Sequence, residues 1–203
     1  MKIKKIPASA KNYTKAFRGV EDITEICIHH TAGCISLETL GKIWQNPNRH
    51  GSSNYGIKDG EVAQFVEDKD IAWCNSNWES NSRSLSVEIC NSTGAPSWEV
   101  SDESLDSLRG LLVTLCQKYK IKKLIYQKNL TIHQQYTATA CPGPYLLKML
   151  PMICTQVNEM IETLEAPIGL TVFKNIQPVT KGDANTIAQL LDDLRLDYDT
   201  IQI

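Results

Sequence analysis

The sequence TEICIHHTAGC, residues 24–34, decides how the rest of the chain is interpreted. Two isoleucines alternate here with a glutamate and a cysteine, which is the period of a β-strand. The strand ends in His29 and His30 and leads into a loop of small residues. An imidazole at such a strand end lies where a buried sheet meets solvent, and it can either bind a metal or only form hydrogen bonds. Both interpretations stay open until other ligands are found in the chain.

The composition is that of an ordinary globular protein. The chain has 203 residues, which is enough for one domain and a short appendage. The formal net charge of -2 gives no reason to expect nucleic acid or an anionic membrane as a partner. No apolar run approaches the roughly 20 residues that span a bilayer. The first residues lack the apolar core of a signal peptide, so we expect a protein made in the cytoplasm.

Cysteine usage argues against a disulfide framework. The chain has seven cysteines, an odd number, and no two of them form a CxxC pair. Cys27, Cys90 and Cys116 lie in apolar contexts and are expected to be small core residues.

The hydrophobic pattern predicts alternating strands and helices. Ser36 and Ser101 each precede an apolar stripe of helical period and are candidate N-caps. Asp59-Gly60 lies between two short apolar runs and predicts a hairpin over residues 55–66. A strand is also expected at residues 124–126.

Two polar stretches have no clear period. Residues 1–22 are expected to form an irregular surface arm anchored by Phe17. Residues 70–84 are expected to form a long loop that contains Trp73 and Trp78. These tryptophans fit a platform for sugar or peptide, and equally side chains folded back onto the core.

Glu88 is the unusual residue of the predicted strand at 85–90, since its neighbours are apolar. A buried carboxylate is costly unless it is paired or close to a cation. We therefore favour a site residue over the alternative, a glutamate that faces water from an edge strand.

His133 and Cys141 supply the further ligands that the opening segment requires. His133 ends a short apolar run, and Cys141 directly precedes Pro142, a candidate first residue of a helix. A helix N-terminus is expected to lower the pKa of the Cys141 thiol. Two histidines, a cysteine and an open fourth position form the pattern of a catalytic zinc. Zinc activates water and polarises carbonyls, which indicates amide or ester hydrolysis with Glu88 as the proton shuttle.

Three sequence blocks together resemble a known family: IHHTA at 28–32, NxxSxSVEI at 81–89, and a histidine followed after seven residues by CPG at 133–143. They resemble the N-acetylmuramoyl-L-alanine amidases of the type-2 amidase and peptidoglycan-recognition-protein superfamily, most closely phage endolysins of Gram-positive bacteria. The resemblance implies an α/β fold, a central mixed β-sheet flanked by helices with a zinc groove. It also implies hydrolysis of the amide between N-acetylmuramic acid and L-alanine in the peptidoglycan of a Gram-positive host.

The resemblance also implies roles for individual residues. His29, His133 and Cys141 match the zinc ligands, and Glu88 matches the general base. Thr139 stands where relatives have a residue that stabilises the oxyanion.

Other matched positions differ from the family pattern. His30 matches a variable position and, with Asn54 and Trp73, is expected to contact substrate. Ser53 stands where many relatives have a catalytic tyrosine, and Cys74 replaces a groove histidine.

The composition changes after residue 164, so we predict a zinc amidase domain over 1–164 and a small β-α-β segment over 165–203. This segment is too short to bury a core alone, so it is expected to attach to the cell wall or to mediate self-association. Without a signal peptide, an endolysin released onto the wall is favoured over a host autolysin. A peptidoglycan-binding module without activity is the other alternative, but such relatives typically lack the cysteine.

Overall fold

A six-stranded mixed β-sheet forms the centre of the computed structural model, which describes residues 2–165. Within residues 2–165 the strands are β1 (Ile3–Lys5), β2 (Tyr13–Thr14), β3 (Glu25–His30), β4 (Tyr55–Lys58), β5 (Glu61–Gln64), β6 (Ile71–Ala72), β7 (Ser84–Ile89) and β8 (Leu130–Ile132). The α-helices of the same range are α1 (Leu37–Gln45), α2 (Trp78–Arg83), α3 (Asp102–Lys118) and α4 (Gly143–Glu165). The predicted β-α-β segment, beyond Glu165, lies outside the described residues.

The strand order in the central sheet is β1-β5-β4-β7-β3-β8. β4 and β5 form an antiparallel hairpin, and the other four neighbouring pairs are parallel. β2 and β6 form a separate antiparallel pair. The mixed sheet with flanking helices confirms the fold class that the sequence predicted.

The two faces of the sheet are covered differently. Alternate residues of β3 and β7, among them Ile28 and Val87, pack with the apolar faces of α3 and α4 in the larger core. On the other face, Leu40 and Trp44 of α1 pack against Phe65 in a smaller cluster. The residues between those alternate apolar positions, including His29 and Glu88, therefore point to the α1 side of the sheet.

The predicted turns and caps are present. Thr39 donates its backbone N–H to Ser36 Oγ at 3.2 Å, and Ser104 donates to Ser101 Oγ at 3.3 Å, so both serines are N-caps. The hairpin turns at Gly60, whose φ of +84° is the left-handed conformation that glycine adopts without strain. The three cysteines expected in the core, Cys27, Cys90 and Cys116, are buried.

Three predictions of local structure are wrong. The predicted surface arm contains β1 and β2, and its supposed anchor, Phe17, is 77% exposed. The predicted loop at 70–84 contains β6 and α2. Residues 124–126 form no strand, and only Tyr126 makes an isolated bridge, to Leu130. Strands of two or three residues and a helix of six residues are too short to show a period, which explains the first two errors.

Among residues 2–165, no helix has both the length and the apolar composition that crossing a membrane would require.

Candidate metal centre

The register of three parallel strands aligns the candidate residues in one row. β3 and β7 pair His29 directly with Glu88. β3 and β8 pair Ile28 with Ile132, the last residue of β8. His133 follows directly and therefore lies beside His29. The two imidazole ring centres lie 4.5 Å apart. Because neighbours in register on parallel strands point to the same face, the sheet itself brings these three side chains together.

Cys141 completes the group from the segment between β8 and α4. Its Sγ lies 3.6 Å from His29 Nδ1 and accepts the backbone N–H of His30 at 3.4 Å. His29, His133 and Cys141 each offer one ligand atom, and these atoms all lie within 4.8 Å of one another. A single ion can therefore contact all three.

His30 and Gly143 pack together at the start of α4. The His30 ring lies edge-on to Trp98, with ring centres 5.4 Å apart. A Cβ on Gly143 would lie 2.9 Å from His30 Cε1, and the φ of Gly143 is +84°. Only glycine fits both conditions, and this close approach lets the chain place Cys141 against β3.

The protonation of the two histidines suits metal binding. Burial, reinforced by the neighbouring His133, lowers the pKa of His29 to about 3. Burial also lowers the pKa of His133, and its Nε2 atom is buried with no hydrogen-bond partner among the described residues. Both imidazoles are therefore neutral at pH 7, which is the form that ligates metals.

The Cys141 thiol differs from its sequence-based prediction. α4 begins at Gly143, two residues after the cysteine. Burial raises the pKa of Cys141, and the negative charge of Glu88 raises it further, so the predicted lowering by a helix terminus is wrong. A neighbouring cation is then needed to hold the thiolate. An unpartnered imidazole nitrogen and a thiol directed at one point fit a zinc ion.

Glu88 lies beside this ligand set as a buried carboxylate with one free oxygen. It is 9% exposed, and burial raises its pKa to about 7. The Cys74 thiol donates to Oε1 at 3.7 Å, while Oε2 has no hydrogen-bond partner within the described residues. A carboxyl group with a pKa near 7 can both accept and donate a proton at neutral pH.

A cavity of about 340 Å³ opens above these residues. Its lining includes the three candidate ligands and Glu88 as well as Thr139, His30 and Trp73. Thr139 Oγ1 accepts the backbone N–H of Cys141 at 3.2 Å, and Trp73 Nε1 donates to Thr14 Oγ1 at 2.9 Å. The structure thus brings all but one of the predicted site residues to a single cavity.

The family model Amidase_2, described as N-acetylmuramoyl-L-alanine amidase, matches residues 19–144. The chain belongs to this amidase family. The matched range contains the candidate ligands His29, His133 and Cys141, as well as Glu88 and Thr139. No curated protein matches the chain by sequence.

Solved structures share the fold of this amidase. The hydrolase AmiA of Staphylococcus aureus, in complex with its ligand, is 18% identical with a TM-score of 0.65, covering 81% of this chain and 85% of its own. A mutant endolysin from Bacillus subtilis is 17% identical with a TM-score of 0.60, covering 77% and 99%. The N-acetylmuramoyl-L-alanine amidase LysC from Clostridium intestinale URNW is 18% identical with a TM-score of 0.53, covering 75% and 97%.

One candidate residue of this amidase does not reach the cavity. Asn54 is 1% exposed, and its amide bonds the backbone of Ser86 and of Val66. Tyr55 is also turned away, since its hydroxyl donates to Asp68 Oδ1 at 2.6 Å. Among the described residues that line the cavity there is no tyrosine. Glu88 is the carboxylate of this lining, and its role as the acid–base group stays a prediction.

Two residues of the amidase site were not identified as functional from the sequence. The sequence marks Cys74 only as the replacement of a groove histidine, yet the Cys74 thiol contacts Glu88. His29, Cys74 and Glu88 form a second group of ligand atoms within 4.8 Å of one another. Asn75, whose Oδ1 lies 2.8 Å from His29 Nε2, gave no sequence signal, because it lies in a polar stretch of asparagines and serines.

Proposed function

We propose that this chain is a zinc-dependent amidase that hydrolyses the bond between N-acetylmuramic acid and L-alanine in peptidoglycan. The observation that supports it best is the approach of ligand atoms of His29, His133 and Cys141 to within 4.8 Å of one another at a cavity. Three protein ligands leave a fourth position for water or substrate, which is the pattern of a catalytic zinc rather than a structural one. Such zinc would polarise the scissile carbonyl and make water a stronger nucleophile at neutral pH.

Glu88 is proposed to move the proton. Its free Oε2 would accept a proton from the attacking water and return it to the amine of L-alanine as the C–N bond breaks. Burial keeps its pKa near 7, so the group can act in both directions.

Thr139 is proposed to stabilise the negative charge that develops on the carbonyl oxygen. The backbone N–H of Cys141 donates to Thr139 Oγ1, which leaves the hydroxyl hydrogen available to the substrate. A preorganised donor of this kind stabilises the transition state more than the ground state.

The amide substrate would bind in the cavity, in contact with the residues that line it. His30 and Trp73 are proposed to contact the sugar or the stem peptide, as both line the cavity. A structure of AmiA with its ligand shows that a protein of this fold holds a ligand, which supports a peptidoglycan substrate here. We propose an endolysin acting on Gram-positive walls, consistent with the endolysin among the structures of this fold.

Metal content and wall clearing test this function together. The wild-type chain should hold zinc and clear purified walls, while Cys141→Ser should lose both. Cys34→Ser is the matched control, because Cys34 is an exposed cysteine and not part of the cavity lining. Wall clearing by Cys141→Ser at the wild-type rate would contradict the proposal.

The role of residues 166–203 is a separate proposal, namely wall attachment or self-association. Deleting them and measuring clearing rate and sedimentation tests it. An unchanged rate together with an unchanged molecular mass would show that the segment does neither.

A further inference from the structure

Asn75 contacts the nitrogen of His29 that the metal would not use. Asn75 is fully buried, is not among the residues that line the cavity, and places Oδ1 2.8 Å from His29 Nε2. The other ring nitrogen, Nδ1, faces Cys141 Sγ. The two sides of the imidazole are therefore assigned to different partners, a buried amide and the candidate metal ligands.

The orientation of the Asn75 amide decides which nitrogen of His29 has the hydrogen. Asn75 Nδ2 lies 2.6 Å from Ser80 Oγ and 3.0 Å from Ser84 Oγ. These two contacts use both amide hydrogens and leave Oδ1, an acceptor only, towards His29. A neutral imidazole has one N–H, so that hydrogen lies on Nε2 and Nδ1 keeps its lone pair.

We propose that Asn75 is a positioning residue that fixes the Nε2–H tautomer of His29 and so presents Nδ1 to zinc. This inference rests on the proposed function, since it concerns the same metal. Its physical basis is general: a histidine ligand is oriented by the group that accepts its second N–H.

A network of buried and partly buried groups holds Asn75 in place. Asn81 Oδ1 accepts the backbone N–H groups of Asn75 and Cys74 at 2.9 and 3.3 Å. The guanidinium of Arg18 in turn donates to the backbone carbonyls of Asn81 and Ser84. The C-terminal half of the short helix α2 is thus hydrogen-bonded to Arg18 and to residues 74 and 75. This gives the NxxS block at 81–84 a structural role, since Asn81 and Ser84 support Asn75, the residue that contacts the candidate ligand His29.

The opposite orientation of the amide has a distinct consequence. If Asn75 Nδ2 donated to His29 Nε2, the imidazole hydrogen would lie on Nδ1 and point at Cys141 Sγ, 3.6 Å away. That tautomer could not ligate through Nδ1 without first losing its hydrogen. Substitutions at position 75 separate the two arrangements, because aspartate can only accept a hydrogen bond and leucine can do neither.

The experiment measures zinc affinity by competition with a chelator and the His29 tautomer by nitrogen NMR of the metal-free protein. Asn75→Leu should weaken zinc binding about 10- to 100-fold. Asn75→Asp should retain at least wild-type affinity, since a carboxylate is the stronger acceptor. Asn158→Leu is the control for loss of a side-chain amide that bonds the backbone, because the partly buried Asn158 bonds the backbone of Leu124 far along α4. The zinc affinity of this variant should be unchanged.

Two results would overturn the inference: an Nδ1–H tautomer of His29 in the metal-free wild type, or an Asn75→Leu variant that binds zinc as tightly as wild type. The NMR result stands on its own if Asn75→Leu does not fold. It also separates this inference from the proposed function, because a wild-type chain that binds no zinc refutes the function while the tautomer still decides the role of Asn75.

Discussion

Replacing Glu88 by glutamine should give an amidase that is more stable but almost inactive. The substitution keeps the size of the side chain and removes the proton that it transfers. General acid–base groups contribute about 10²- to 10⁴-fold to rate, so clearing by Glu88→Gln should fall by that factor while zinc content stays the same. Measured together, rate and metal content distinguish a lost proton shuttle from a lost ligand.

The stability effect follows from the pKa of Glu88. Burial raises that pKa from 4.5 to about 7, so ionised Glu88 costs the folded chain roughly 3 kcal/mol relative to the unfolded chain. Below about pH 4.5 the carboxyl is protonated in both the folded and the unfolded chain, and burial has no electrostatic cost. As pH rises to 7 and above, residue 88 ionises at a lower pH in the unfolded chain than in the folded chain. The free energy of unfolding of the wild type therefore falls by up to roughly 3 kcal/mol, and that of Glu88→Gln does not.

Urea unfolding of the metal-free protein, with chelator present, at pH 5 and pH 8 measures this difference. The free energy of unfolding of Glu88→Gln, relative to that of the wild type, should be higher by about 2.5 kcal/mol at pH 8 than at pH 5, because part of the unfolded chain is already ionised at pH 5. Glu159→Gln, at an exposed position on α4, should show no such change. A stability difference that is equal at both pH values, or a variant that clears walls at the wild-type rate, would refute the reasoning.

Three further predictions concern other parts of the structure. Burial alone would raise the pKa of Asp68, but hydrogen bonds from Lys118 and Tyr119 hold that pKa below its usual value. The ionised Asp68 therefore stabilises the folded chain above about pH 4, and this stabilisation is lost as pH falls through the folded pKa. Asp68→Asn should lower the free energy of unfolding by about 3 kcal/mol at pH 7 and by less at pH 2, as urea titrations would show. Leu112→Ala, at a fully buried core position, should cost about 2 to 5 kcal/mol by the same assay. Thr139→Val should lower kcat about 10²-fold with little change in KM, as steady-state kinetics on soluble wall fragments would show.

The sequence predicted the fold class, and it predicted side chains that the structure brings together at one cavity, because both depend on periodic or local patterns. Alternation along β3 and β7 is enough to place His29 and Glu88 on the face opposite the larger core. The caps at Ser36 and Ser101 are also local signals, read from the residues that follow them.

What the sequence missed depends on tertiary contacts. Asn54 was expected at the substrate, but its amide is used by the backbone of neighbouring strands. Asn75 contacts His29 across 46 residues of sequence, and no pattern in either segment reveals the contact. The raised pKa of Cys141 likewise results from burial, which only the folded chain determines.

The bond that is cut tests the central proposal most directly. Purified Gram-positive walls treated with the zinc-loaded protein should be analysed for new free amino groups and for new reducing sugar ends. An amidase of the proposed kind releases the α-amino group of L-alanine and no reducing ends. New reducing ends, or free amino groups on residues other than L-alanine, would contradict it.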